Sequence, residues 1–138
     1  MPRFGRQKIV RLTQSTFTVS VAAVITNEKK EVLLLDHVLR LGSGWGFAGG
    51  FVNEGEQIEE ALRREVREEA GLEIENLKLL HLRTINRHIE ILFSATATGE
   101  PRLNSREIKS LGWFTAENLP KNMDEIQKAF IKRLLKFE

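Results

Sequence analysis

The sequence has no cysteine, no tyrosine, only three prolines and no apolar run of membrane-spanning length. Without cysteine there is no disulfide framework and no soft thiolate metal site, although that absence does not by itself assign a redox compartment. The lack of a long apolar run argues against a helical membrane span, and the first residues lack the apolar stretch of a secretory signal, so a cytoplasmic location is the default expectation. Histidine is scarce as well. His37 reads as a loop residue and His81 and His88 as strand residues, with no zinc-ligand spacing among them, so each reads as structural or exposed rather than as a ligand.

What is present is an ordinary globular composition, 138 residues at 41% hydrophobic and 29% charged. That is the size of one domain spanning 1–138, large enough to bury a real core. The net charge of +2 conceals an asymmetry, because residues 50–72 hold seven acids and three arginines, a net of −4 that leaves +6 on the remainder. An acidic pocket in a basic body suits an anionic substrate that arrives with a divalent cation. Arg3, Arg6, Lys8 and Arg11 make residues 1–14 basic with no acid among them. A solvated arm, the lead-in to a first strand and a nucleic-acid contact all stay open there, although Phe4 is the one aromatic interleaved.

Runs of β-forming residues predict strands over 16–26, 31–35, 47–52, 77–86, 88–98 and 111–114. Residues 36–46 carry Gly42, Ser43, Gly44 and Gly46 and read as a flexible loop bordering a pocket. A helix is expected over 57–70, stopped at Gly71, and a second, amphipathic one over 124–137 through Ile126, Ala129, Phe130, Leu134 and Phe137. No repeat or linker interrupts this order, which favours one α/β sandwich.

The chemistry concentrates in the first helix. At roughly 100° per residue, Ile58, Ala61, Leu62 and Val66 share one arc, Glu65 and Glu69 fall inside it, and Glu68 lies on its edge. Glu59, Glu60, Arg63 and Arg67 project the other way, where Glu59 with Arg63 and Glu60 with Arg64 are spaced to pair. A solvated, salt-bridged helix explains that outer set. It does not explain Glu65 and Glu69, because inward carboxylates repel one another in a low dielectric unless a cation or a buried arginine meets them. Hard oxygen ligands one helix turn apart suit Mg²⁺ or Mn²⁺.

The same stretch carries the spacing G-x5-E-x7-R-E-U-x-E-E-x-G-U, with U aliphatic, from Gly50 through Glu56, Arg64, Glu65, Val66, Glu68, Glu69 and Gly71 to Leu72. It resembles the Nudix box, the signature of hydrolases that cleave diphosphates linked to a second moiety, and all specified positions are filled. The resemblance implies a mixed sheet between helices. It implies metal ligation by the Gly50 carbonyl, Glu65, Glu68 and Glu69, with Glu68 as ligand or base and Arg64 orienting its neighbours. Glu56 is then structural, a negative charge near the helix N-terminus. Many members carry a further acid before the last strand, and Glu107, six residues ahead of Trp113, matches it as base, ligand or merely a solvated loop residue. Ala48 departs from the proline common before the paired glycines, which bears on loop geometry rather than on ligation.

Substrate contacts are expected at Trp45, as a base-stacking platform or a core residue, and at Arg83 and Arg87, as phosphate or surface contacts. No proline follows the box at 84–89 and the chain lacks tyrosine, so the markers of the ADP-ribose and diadenosine polyphosphate subgroups are missing. The resemblance then implies a nucleoside triphosphate pyrophosphatase of the mutator-preventing type acting on a small nucleotide. An ADP-ribose or other dinucleotide pyrophosphatase, a nucleotide-sensing module without turnover, an RNA 5′-end-processing protein and a homodimer stay open.

Overall fold

The computed structural model describes residues 14–38 and 44–136. Arg3, Arg6, Lys8, Arg11 and Phe137 lie outside the described residues. Seven strands form one sheet: β1 (Thr18–Thr26), β2 (Val32–His37), β3 (Trp45–Gly46), β4 (Ala48–Phe51), β5 (Glu75–Ile85), β6 (His88–Thr96) and β7 (Ile108–Phe114). Two helices are described, α1 (Ile58–Ala70) and α2 (Glu125–Lys136). β1 runs through the middle, parallel to β6 and antiparallel to β4, with Ser20 opposite Phe51 and Ala23 opposite Ala48. β2 continues the sheet between β3 and β7. The remaining pairs are antiparallel, so the sheet is mixed as expected.

Both faces of the central strands are buried, which is why their sequences are continuously apolar rather than alternating with polar residues. Val21, Ala23 and Ile25 of β1 with Leu33 and Leu35 of β2 pack against Ala61, Leu62, Val66 and Ala70 of α1. Their neighbours Val24, Val32 and Leu34 face the other way, onto Met123, Ile131 and Leu135 on the α2 side. Period-two alternation thus feeds two cores and yields an α/β/α sandwich. Each fully buried side chain of Val or Leu size contributes about 1.5–3 kcal/mol relative to exposure. That packing fixes α1 against β4 and sets which of its glutamates face inward.

Two local expectations are corrected. Residues 36–46 are not one loop, because Asp36 and Leu35 pair with Trp45 and Gly46 in the short β3. His37 therefore ends a strand instead of sitting in a loop, and β2 carries a register shift between Asp36 and His37 where it meets β7. β7 also starts at Ile108, three residues before the expected strand, because β2 supplies a ladder that extends to His37. The stop at Gly71 is as expected: it adopts φ 68°, and its N–H donates to the Arg67 carbonyl at 3.0 Å.

Candidate active site

β4 and α1 build the centre of the site. The two glycines of β4 permit an approach that a side chain would block: a β-carbon at Gly50 would lie 2.5–2.7 Å from the Glu65 carboxyl atoms, and one at Gly49 would lie 2.2 Å from the Val21 carbonyl oxygen. The Gly49 N–H donates to Glu69 Oε1 at 2.9 Å. Glu69 is 5% exposed, a buried carboxylate on the inward face of α1. Glu65 is also inward, with its side chain 16% exposed, whereas Glu68 stands at the rim at 57%. The order of exposure follows the helical arc.

Arg64 gathers the acids. Its Nε and Nη2 donate to the two Glu56 oxygens at 2.7 and 3.0 Å, Nη1 donates to Glu65 Oε1 at 2.8 Å and reaches Glu68 Oε2 at 3.4 Å, and Nη2 donates to the Phe51 carbonyl at 3.2 Å. A planar fork suits such a bidentate hold. Glu56, which also accepts the Asn53 N–H, is held well below the usual carboxylate range, at about 2, chiefly by the Arg64 hydrogen bond. Arg64 is shifted up correspondingly, first by the same bond. Burial pushes the Glu65 carboxyl up against the opposing pull of Arg64, and the charges of Glu68 and Glu107 add to the rise.

Those interactions correct the expected outer pairs. Arg64 turns to Glu56 instead of Glu60, because Glu56 lies on the turn that carries β4 into α1. Arg63 donates to the Ile74 carbonyl instead of meeting Glu59, and Arg67 pairs with Glu73 at 2.6 Å. Glu56 is held by Arg64 and by the Asn53 N–H, contacts beyond the helix-dipole attraction expected of it.

The end of β2 completes the site. The Val38 N–H donates to the Glu107 carbonyl at 2.8 Å, which brings the start of β7 to the carboxylate cluster and explains why the Glu107 charge is felt at Glu65. Trp113 sits elsewhere, packed on the α1-side core with its indole N–H donating to the Gly99 carbonyl at 3.0 Å. His37 was not anticipated. It lies between Phe47 and Glu69, with Nε2 3.1 Å from the Phe47 carbonyl and Nδ1 3.9 Å from Glu69 Oε2. In the sequence its only signal is its place at the end of an apolar strand facing a glycine-rich loop.

The expected substrate contacts do not share one location. Arg83 lines a cleft of about 470 Å³ between the sheet and α2, ion-paired at 2.9 Å to Glu90, with Phe47, His81, Gln127 and Phe130 among its neighbours. Trp45 is not among the residues lining that cleft. Its indole meets Phe114 edge-on at 5.2 Å and packs on the α2-side core. Arg87 is exposed in the turn between β5 and β6, where its carbonyl accepts the Thr18 N–H.

The donors gathered around Gly50 are all hard oxygens, on a backbone that a β-carbon would obstruct, and that chemistry fits Mg²⁺ or Mn²⁺. Among the described residues no three His, Asp or Glu side chains already converge tightly enough to enclose an ion. Arg64 is the cation that meets Glu56, Glu65 and Glu68 in this arrangement.

The NUDIX domain family model matches residues 16–134, a span that includes the glycine strand, the glutamate helix and Glu107. The chain belongs to the Nudix family. Over 117 residues it is 37% identical to the Mus musculus 8-oxo-dGDP phosphatase NUDT18, covering 80% of this chain and 36% of that protein. Over 94 residues it is 32% identical to the NAD-capped RNA hydrolase NudC of Pectobacterium carotovorum, covering 66% of this chain and 36% of that one. The chain therefore spans about a third of the length of these curated relatives. A solved MutT NUDIX hydrolase from Burkholderia pseudomallei superposes with a TM-score of 0.73 at 26% identity, over 87% of this chain and 99% of that one. The α/β/α sandwich is thus the Nudix fold.

Proposed function

We propose that this chain is a divalent-metal-dependent Nudix hydrolase that cleaves a phosphoric anhydride bond in a nucleotide. One observation carries the reading: Glu65 lies half-buried against the bare backbone of Gly50, with Glu68, buried Glu69 and Glu107 grouped around the same end of the sheet. Grouped carboxylates repel one another unless a cation meets them, and a carboxyl displaced upward by burial and by neighbouring acids, as Glu65 is, marks a candidate functional site. The Gly50 carbonyl, Glu65, Glu68 and Glu69 would hold Mg²⁺ or Mn²⁺. When bound, the ion supplies charge neutralisation on the phosphates and lowers the pKa of a coordinated water.

The protein residues divide the remaining work. Arg64 keeps Glu65 and Glu68 oriented, donating from Nη1 to both carboxylates. Glu68 or Glu107 accepts the proton of the attacking water, the two being carboxylates that are not fully enclosed. The cleft beside Arg83 accommodates the base, with Phe47 and Phe130 as apolar walls. The Gln127 side-chain oxygen, buried and without a hydrogen-bond partner among the described residues, is an acceptor awaiting a donor on the ligand.

Within that class, the substrate reading is a small nucleoside polyphosphate, hydrolysed as by a nucleoside triphosphate pyrophosphatase of the mutator-preventing type. The likeness to an 8-oxo-dGDP phosphatase supports a purine nucleotide and adds diphosphates to the candidates. The test is phosphate and pyrophosphate release from a panel of nucleoside di- and triphosphates, their 8-oxo forms, ADP-ribose and NAD-capped RNA, each with Mg²⁺, Mn²⁺ or EDTA. Turnover of a purine di- or triphosphate that EDTA abolishes is the expected result. Preference for capped RNA moves the assignment to RNA 5′-end processing, and saturable nucleotide binding with no turnover makes the chain a sensor.

A further inference from the structure

At the other end of β2 from the carboxylates lies a second concave site of opposite charge. β2 runs from Val32, opposite Phe114 of β7, to His37, opposite Ile108, so its two ends lie about 17 Å apart at the usual rise of a strand. The His37 end adjoins Glu69. Beyond the Val32 end, a cavity of about 700 Å³ is bounded by the β1–β2 turn, the residues after β7 and the C-terminal half of α2. Three lysines line it, Lys29 and Lys30 from the turn and Lys132 from the helix, against one carboxylate, Glu117, among the described residues.

The turn that presents two of the lysines is built in advance. Asn27 Oδ1 accepts the N–H groups of Lys29 and Glu31, each at 3.0 Å, and the Asn27 carbonyl accepts the Lys30 N–H at 3.1 Å. Asn27 Nδ2 also donates to Glu31 Oε1 at 2.9 Å, so an acid of the same turn is engaged by an amide. On α2, Lys128 reaches Glu125 at 3.4 Å, but Lys132, one turn on, has no ion-pair partner among the described residues, and neither has Lys29. Cations gathered around a concavity raise its potential and draw in an anion. Thr115 lines the same cavity, and its hydroxyl is buried without a hydrogen-bond partner among the described residues, a polar group that a bound anion would satisfy.

We propose that this cavity is a second, metal-independent binding site, one that takes the phosphate group of a small molecule. Three ammonium groups and one carboxylate leave a lining charge of +2, which matches a phosphate dianion, and each ammonium brings three donors to its oxygens. The space is far larger than a phosphate and has Leu135 in its wall, so it also accommodates an organic part of the ligand. The lysines hold the anion directly, whereas the glutamates of α1 meet a phosphate only through a cation. A turn already fixed by Asn27 keeps the ordering cost of binding low.

The test is calorimetric titration of the full chain with inorganic pyrophosphate in EDTA, where no divalent cation can carry the anion to the glutamates. Saturable binding that weakens as NaCl rises is expected. Lys29 and Lys132 are exposed, so Lys29→Gln combined with Lys132→Gln should leave the melting temperature nearly unchanged while weakening pyrophosphate binding at least about tenfold. Arg83→Gln, in the cleft between the sheet and α2, should leave that binding as it is. Thr115→Val keeps the shape and removes the hydroxyl, and should melt no earlier yet bind pyrophosphate more weakly. Guanosine monophosphate as a second titrant separates the sources of the phosphate: tighter binding with the same dependence on the two lysines assigns the site to a phosphate ester, and tighter binding of pyrophosphate assigns it to the inorganic ion. No pyrophosphate binding in EDTA, undiminished affinity in the double lysine variant, or an equal loss in Arg83→Gln overturns the inference. The readout is independent of turnover, so failure of the hydrolase reading and failure of this one are distinguishable.

Discussion

The carboxyl group of Glu65 lies against the α-carbon of Gly50, with its Cδ 2.5 Å from the point a β-carbon would occupy. Helix and strand can be this close only because residue 50 has no side chain. Gly50→Ala should therefore push the Glu65 carboxylate off its position while leaving the two cores intact. A displacement of about 1 Å at a catalytic group can cost on the order of a hundredfold. Steady-state assays with circular dichroism as the folding control would check it, and full activity in the alanine variant would remove Glu65 from the site.

Glu65→Gln should abolish most of the activity, while Glu59→Gln, on the outer side of the same helix, should change it less than about twofold. The accompanying stability change has a definite sign. Because burial raises the Glu65 pKa, the ionised form is disfavoured by folding, and a neutral amide of the same size removes that cost. Melted in EDTA at neutral pH, Glu65→Gln should be at least as stable as the unsubstituted protein. Substantial destabilisation would show that the bond to Arg64 outweighs desolvation.

Acid sensitivity should trace partly to Glu56. Its pKa falls from 4.5 to about 2 on folding, so its contribution is fully present above 4.5 and is lost as pH drops through about 2. Denaturant midpoints of Glu56→Gln, compared with the unsubstituted protein from pH 7 to pH 2, should differ most at neutral pH and converge at the acid end. A constant difference over that range would contradict the Arg64 pairing.

Trp45→Ala distinguishes core from platform. The edge-on contact with Phe114 and the apolar surroundings predict a loss of stability of about 2–4 kcal/mol, near the range for large aromatic truncations. KM should change little. A normal melting curve with a tenfold rise in KM would restore the base-stacking role.

Glu107→Gln should lower kcat with KM nearly unchanged if this carboxylate takes the proton of the attacking water. An unchanged kcat, with the same loss appearing in Glu68→Gln, would assign the base to Glu68.

The helix of residues 58–70 and the inward direction of Glu65 and Glu69 were legible because an α-helix repeats every 3.6 residues, so relative angles follow from spacing alone. The strands of both cores were legible for a similar reason, since a sheet buried on both faces demands runs of Val, Ile, Leu and Ala such as 21–25 and 32–35. The family could be recognised because its glycines, arginine and glutamates lie within 23 consecutive residues, 50–72.

What the sequence by itself determined was thus the periodic and the local: the elements, their buried faces, the acidic helix and its stop at Gly71. The tertiary structure alone decided contacts between residues far apart in the chain. It turned Arg64 to Glu56 rather than Glu60, brought Glu107 beside Glu65, sent Trp45 to the core side and set His37 against Glu69. None of these follows from spacing, because each depends on strand order, on the register between β2 and β7 and on which neighbouring group offers the better-buried partner. Short-range geometry repeats along the backbone and can be counted in a sequence, whereas a long-range contact exists only once the sheet has closed.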